Sequence, residues 1–372
     1  IPFSSSREVD TEDMKEDAGP LVEAPTSSPP LANQDILRVM MRYVAHTDFL
    51  FFALVSRDWR EAWGERPTIT TIIPTPGSSV SQLRYGFECG SPRDGTQVCT
   101  AAARLASVEL LRCAREHGCA WDAGTCAAAA REGRQHILEY LRINLCPWDE
   151  TTCAAAAEGG HLAVLKWAST HDCPWDSRVC TAAARHGDTA TLRWARLQGC
   201  AWDENAPSAA AGSGHLETLR WLLEQGCPWD LTTCSSAAAG GHLDVLRWAR
   251  ANGCGWDKTV SASAAQHGHI GTLRWARANG CPWNSWTCLG AAGAGHLDVL
   301  QWARLNRCPW TSTTCSSAAA GGHLEVLQWA RENGCAWDER TCEEASKHGR
   351  LACLKWAREN GCPWTSTTCS SA

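Results

Sequence analysis

The sequence predicts an all-α fold, a solenoid of stacked helix pairs, and three observations carry that prediction. Cys-x-Trp occurs ten times, at Cys119, Cys146, Cys173, Cys200, Cys227, Cys254, Cys281, Cys308, Cys335 and Cys362, and the interval from one copy to the next never changes. Each period holds an alanine-rich run and then an apolar face at helical spacing. Glycines follow both runs, where a helix must stop. A fixed period of roughly 20 to 50 residues marks a repeat array, so it overrides the two or three domains that 372 residues would otherwise suggest.

Residues Asp149 to Trp175, DETTCAAAAEGGHLAVLKWASTHDCPW, show how one unit is built. Asp149 is an N-cap, its carboxylate accepting from the free amides of the first turn, and the alanines behind it are strong helix formers. Gly159 and Gly160 end that helix because glycine enters the left-handed region cheaply. A second helix is predicted from His161, with Leu162, Leu165 and Ala168 on one side and Val164 and Trp167 beside them. Gly199, Gly226, Gly253, Gly280, Gly334 and Gly361 stop the equivalent helices, and the proline of Cys-Pro-Trp cannot extend them. Helices of about ten residues are marginal alone, so each pair must bury its apolar face on its neighbours.

The segment TTCAAAAEGGHLAVLKW, Thr151 to Trp167, resembles the ankyrin repeat: Ala155, Ala156, Gly160, His161 and Leu162 stand at matching positions. Gly-His recurs before Leu216, Leu243, Ile270, Leu297 and Leu324, and the resemblance spans Val98 to Ala372. It implies a stack that binds protein partners. Two departures matter. Ankyrin units have about 33 residues, and the missing residues fall between the Trp-Asp step and the next helix, so a short loop is expected in place of that family's projecting β-hairpin. Thr152 and Ala154 stand where the family has Pro and His, and Trp175 and its equivalents are expected to fill that space.

The second periodic cysteine (Cys126, Cys153, Cys180, Cys234, Cys288, Cys315, Cys342, Cys369) becomes Pro207 and Ser261 in two units, and Gly-His gives way to Arg134, Asp188 and Arg350 in others. No C-x-x-C pair exists, so neither a metal nor any cofactor is expected. Equivalent cysteines in neighbouring units should sit about 8 to 10 Å apart, beyond the ~7 Å between Cα atoms that a disulfide tolerates, although Cys119 and Cys126 within one loop come closer. The cysteines are therefore read as small buried hydrophobes. The helix tryptophans Trp167, Trp194, Trp221, Trp248, Trp275, Trp302, Trp329 and Trp356, with Tyr140 and Cys113 in the first two units, are read as inter-repeat core. Two basic series, Lys166, Arg193, Arg220, Arg247, Arg274 and Arg196, Arg250, Arg277, Arg304, Arg331, lie late in the second helix. Cations suit the dipole there, and acids such as Asp244 and Glu325 open those helices, which predicts a solvated outer face.

The formal charge is −6, and residues 1–25 carry seven acids against Arg7 and Lys15, so the array is nearly neutral. It lacks the electrostatic footprint of a nucleic-acid binder. The longest apolar run, FLFFALV at Phe49 to Val55, is far short of the roughly 20 residues of a membrane span. The expected setting is cytoplasmic or nuclear, with no membrane partner. The sequence begins at Ile1 and stops at Ala372 inside CPWTSTTCSSA, a string also found at Cys308 to Ala318, so it is read as a fragment.

Ahead of the array, Leu37, Met40, Met41 and Val44 share a helix face, Thr47-Asp48 offers a new cap, and Phe52, Val55, Trp59 and Trp63 form a second face. The stretch resembles an F-box through Pro30-Leu31, Asp35-Ile36-Leu37, Tyr43-Val44, Asp48-Phe49-Leu50 and Leu54-Val55-Ser56-Arg57-x-Trp59. That resemblance implies docking through Leu37, Leu50, Val55 and Trp59 on the adaptor of a cullin-based ubiquitin ligase, the repeats holding substrate. The alternative is an amphipathic cap on the open end of the solenoid. Residues 1–28 are thus read as a disordered acidic tail, 29–67 as the F-box-like module, 68–97 as a linker and degenerate cap, with TITTIIPTPGSS at Thr68 to Ser79 as an extended segment and turn. Residues 98–372 form the array of ten units and a truncated eleventh.

A non-enzymatic protein-binding scaffold is the expected function, with a host-directed effector using the same surface, or a Cys/His metal or redox protein, as alternatives. No phosphate loop, serine-centred nucleophile motif or constellation occurring only once supports an enzyme. Positions that vary between units are those that packing leaves free: Arg178, Glu204, Asn205, Leu231, Lys258, Ser285, Trp286, Glu339, Arg340, Glu343 and Glu344. In an ankyrin-like stack they would line the concave edge and take the partner. Trp286 is either an interface anchor or a residue resting on the neighbouring loop.

Overall fold

Why each unit folds as two short helices is visible at the aspartate after the Trp. In the computed structural model, which describes residues 73–88, 91 and 95–364, Asp149 Oδ1 accepts from the Thr151 amide at 2.9 Å. Asp176, Asp203, Asp230, Asp257 and Asn284 accept in the same way from the amide two residues on, at 2.9 to 3.1 Å. These bonds satisfy amides that a helix start leaves orphaned. The helix therefore begins directly after the Trp-Asp step, and among the described residues there is no strand. The F-box-like segment with Leu37, Leu50, Val55 and Trp59 lies outside the described residues.

Among the described residues there are 21 helices. Helix α1 (Val80–Glu88) precedes ten pairs. The first five are α2 (Gln97–Arg104) with α3 (Val108–Glu116), α4 (Ala123–Arg131) with α5 (Gln135–Ile143), α6 (Glu150–Glu158) with α7 (Leu162–Thr170), α8 (Arg178–Arg185) with α9 (Thr189–Leu197), and α10 (Asn205–Gly212) with α11 (Leu216–Glu224). The others are α12 (Leu231–Ala239) with α13 (Leu243–Ala251), α14 (Lys258–Gln266) with α15 (Ile270–Ala278), α16 (Ser285–Gly293) with α17 (Leu297–Leu305), α18 (Ser312–Gly321) with α19 (Leu324–Glu332), and α20 (Glu339–Lys347) with α21 (Leu351–Glu359). Before them, the Pro76-Gly77 turn closes with Ser78 N donating to Thr75 O at 2.9 Å.

Two layers result. Consecutive first helices from α2 to α20 pack along their length, because Ala, Ser, Cys and Thr side chains let the backbones approach, whereas consecutive second helices scarcely touch. Each first helix also packs on the second helix of its own pair. The fully buried core consists of Cys and Ala from the first helices with Leu165, Leu192, Leu219, Leu246, Leu273, Leu300 and Leu327 from the second. The helix tryptophans depart from the expected core position. They are half-buried and lean on the core from its edge, since a ring of that size does not fit between helices spaced by alanine.

The Gly-His step locks neighbouring units. Gly241 adopts φ +74°, and the His269 ring of the next unit packs so closely that a Cβ on Gly241 would sit 2.6 Å from its Nδ1. His269 Nε2 lies 2.9 Å from Ala239 O. Where Arg350 replaces the histidine, its Nε donates to Ala320 O at 3.1 Å, so the same bridge survives the substitution. Gly253, at the end of α13 with φ +87°, has open space around it. Gly253→Ala should therefore cost only the left-handed penalty of about 1–2 kcal/mol, and Gly241→Ala distinctly more. Urea unfolding of both variants measures the difference, and equal losses would mean that the His269 ring yields freely.

Candidate interaction surface

The surface begins at the loop that ends each unit, where three side chains are fixed by neighbours. The loop cysteine is buried, and its thiol donates to the carbonyl of the residue that starts the unit's first helix. This occurs in nine loops from Cys146 to Cys362, at 3.2 to 3.5 Å. An arginine one helical turn before the cysteine binds the cysteine's own carbonyl. Arg196 Nη1 donates to Cys200 O at 2.7 Å, and its guanidinium carbon stands 3.8 Å from the centre of the Trp202 ring. Arg250, Arg277, Arg304 and Arg331 repeat both contacts.

That basic series, none of it buried, does more than solvate an outer face: these arginines also clamp the loop. The other series is engaged more loosely, with Arg193, Arg220, Arg247 and Arg274 lying 5.7 to 5.8 Å from the centre of the next unit's helix tryptophan. The loop tryptophan completes the arrangement by meeting the helix tryptophan that follows it. Trp202 and Trp221 stand 6.1 Å apart, edge to face, and Trp283 and Trp302 are 5.9 Å apart. Trp202, Trp283 and their equivalents are thus held between a guanidinium and a second indole. The fixed spacing of Arg, Cys and Trp was present in the sequence, but only the fold shows that a side chain late in one helix turns back over the following loop.

With the loop fixed, the residues just after it project at the N-termini of the first helices and form one row. Bonds along the row tie adjacent units: Ser177 Oγ donates to Asp203 Oδ2 at 3.0 Å, and Ser312 Oγ to Asp338 Oδ2 at 2.9 Å. Of the eleven residues expected to bind a partner, Arg178, Glu204, Asn205, Leu231, Lys258, Trp286, Glu339 and Arg340 are exposed, while Ser285, Glu343 and Glu344 are half-buried. Trp286 is 50% and Leu231 42% exposed, large values for apolar side chains. Lys258 Nζ lies 4.6 Å from the centre of the Trp286 ring, so the row is continuous between those units.

Charges in the row are partly neutralised. Arg178 pairs with Asp176 at 2.9 Å and with Glu150 of the preceding unit at 3.0 Å, and its hydrogen bond holds the Asp176 carboxyl below the usual carboxylate range. Glu344 faces Lys347 at 3.8 Å and His348 Nδ1 at 3.4 Å. Among the described residues no group of three or more His, Cys, Asp or Glu is placed to hold a metal ion. No helix of the described residues is long and apolar enough to cross a membrane.

Residues 207–250 match the family described as ankyrin repeats (many copies). No curated protein matches the sequence. Similar solved structures include the human ASB11 ankyrin repeat domain, with 17% identity, 42% of this chain and 84% of that chain covered, and a TM-score of 0.35. They also include the pentatricopeptide repeat protein PPR10 in complex with an 18-nt psaJ RNA element. There identity is 14%, coverage is 91% of this chain and 55% of that one, and the TM-score is 0.37.

Arg196→Ala should lower stability by about 1–2 kcal/mol, since it removes a cation–π contact and a charged donor from a partly buried carbonyl contact. Chemical denaturation measures this, and a change within about 0.5 kcal/mol, ordinary for a surface side chain, would restore the solvated-face reading.

Proposed function

We propose that the chain is a non-enzymatic scaffold that holds a protein partner along the row at the first-helix N-termini. The observation that carries this reading is the split between units: positions that pack are nearly the same in every copy, and those that differ stand mostly exposed in one line. The closer packing of the first-helix layer supports reading that line as lying on the side that repeat proteins use for recognition. The match of residues 207–250 to ankyrin repeats supports a protein as the partner. Trp286 is the anchor: the row's large aromatic, half exposed, with Lys258 beside it.

Trp286→Ala should leave the melting temperature almost unchanged and weaken capture of the partner from native lysate by at least ~2 kcal/mol, the scale of an interface hot spot. A large loss of stability with unaltered affinity per folded molecule would make Trp286 a packing residue.

The F-box resemblance of residues 29–67 extends the proposal: that segment docks on the adaptor subunit of a cullin-based ubiquitin ligase, and the partner on the repeats is its substrate. Leu37, Leu50, Val55 and Trp59 supply the docking face. Binding of the intact protein to purified adaptor, abolished by Leu50→Glu, is the expected result. No binding by the intact protein would leave the segment as a cap on the solenoid.

A further inference from the structure

Cysteines of the same unit face each other inside the helix pairs. Thiol meets thiol in seven units, among them Cys153 with Cys173, Cys180 with Cys200 and Cys234 with Cys254. One partner sits on the first helix and the other in the loop that ends the same unit, and both are buried. An independent contact gives the scale. Where Ser261 replaces the first-helix cysteine, its Oγ donates to Cys281 Sγ at 3.4 Å. The sequence offered a loop cysteine two partners, its equivalent in the next unit and the cysteine of the first helix that follows it. The fold selects a third, the cysteine of the first helix that precedes it, because the loop returns beneath the start of its own unit.

We propose that these facing pairs are disulfide-forming sites, so that a peroxide staples each such unit shut across its own two helices. A disulfide needs the two sulfurs brought to roughly 2.05 Å, and thiols that already hydrogen-bond each other start as neighbours. In four of the pairs the loop cysteine is the more accessible to an oxidant, with Cys173, Cys200, Cys254 and Cys362 at 4%, 5%, 3% and 3% exposure against 0% for Cys153, Cys180, Cys234 and Cys342, while Cys146, Cys308 and Cys335 are at 0% like their partners. In the pair of Cys153 and Cys173 the loop thiol is also the acceptor. The hydrogen bond from Cys153 lowers the Cys173 thiol from its ordinary value, and the same bond, together with burial, pushes Cys153 up.

The chemistry balances with hydrogen peroxide as the two-electron oxidant. The loop thiolate attacks one peroxide oxygen, the O–O bond breaks, hydroxide leaves and takes up the proton the thiol has lost, and a sulfenic acid forms. The first-helix thiol then attacks that sulfur, the S–O bond breaks, and its proton leaves with the departing hydroxide as water. Two thiols are oxidised to one disulfide and one peroxide is reduced to two waters. Two units lack the first-helix thiol altogether, because Pro207 and Ser261 leave Cys227 and Cys281 without a thiol to meet, and in the first unit the Cys99 thiol donates to Cys119 O instead.

The test treats the reduced, folded full chain with limiting hydrogen peroxide, alkylates the remaining thiols and maps peptides by mass spectrometry. Expected are cross-links that join a first-helix cysteine to the loop cysteine of its own unit, such as Cys153 to Cys173, each with the loss of two hydrogens, while Cys227 and Cys281 are recovered alkylated. Ser261→Cys should add a cross-link to Cys281. The thermal midpoint should rise on oxidation and return on reduction, because the staple restricts the unfolded chain. Cross-links between equivalent loop cysteines, or from a loop cysteine to the first helix after it, would each overturn the proposal. So would sulfinic and sulfonic products alone, intact thiols, or a midpoint that falls.

Discussion

Nine of the units are closed by the bond from the loop cysteine to the carbonyl that opens the first helix, and the remaining architecture depends on that closure. A thiol is a weak donor, yet the contact recurs in nine loops with little variation in length. It brings the end of a unit under its own beginning, which leaves no room for a projecting hairpin and lets the next aspartate cap a helix at once. The arginine over the loop tryptophan then holds the cysteine's carbonyl, whose backbone direction would otherwise be unsupported. The shortened period follows from these contacts: two short helices, a glycine turn and a loop of a few residues leave nothing to spare.

Substitutions between units respect the contacts more than the residue types. Arg350 reaches Ala320 O as His269 reaches Ala239 O, although one side chain is a flexible cation and the other a rigid ring. Ser261 keeps a polar contact to Cys281 where a cysteine would stand. Leu145, Asp172 and Arg307 take the left-handed conformation that glycine holds in the other second-helix ends, at about 1–2 kcal/mol each. An array can absorb such local costs, since its stability is close to a sum over units and their interfaces.

The periodic part of the fold was legible because packing repeats. Asp149 as a cap, Gly160 and Gly199 as stops, and the missing hairpin all follow from local backbone chemistry, which a single unit states in full. Contacts that depend on how the loop folds back were not legible. The pairing of Cys153 with Cys173, and of Arg196 with both Cys200 O and Trp202, needs the angle between helix and loop, and periodicity is silent on it. The helix tryptophans were misplaced for a related reason: hydrophobic spacing assigns a face, but only the close approach of the alanine-lined helices shows that an indole must stay at the edge. Leu231, Lys258 and Trp286 were found by their variation between units, and their exposure gives that variation a physical meaning.

The two units that lack the first-helix cysteine have a consequence for the surface. Cys227 and Cys281 lie in the loops that lead directly to Leu231 and to Ser285 and Trp286, where the row exposes its large apolar side chains. Their neighbours can be covalently closed, but these two loops rely on noncovalent contacts, among them the weak thiol bond to Asp203 O or Asp257 O and the backbone bonds that end the second helix. The loop at Cys227 also lacks the clamp, because Leu223 stands where every other unit except that of Ser169 has arginine. Local opening is therefore cheapest beside Leu231, and a partner that must adjust the row to seat an apolar anchor meets the least resistance there. The packing contacts and the exposed row thus use different positions of the same repeat, so a change at one need not disturb the other.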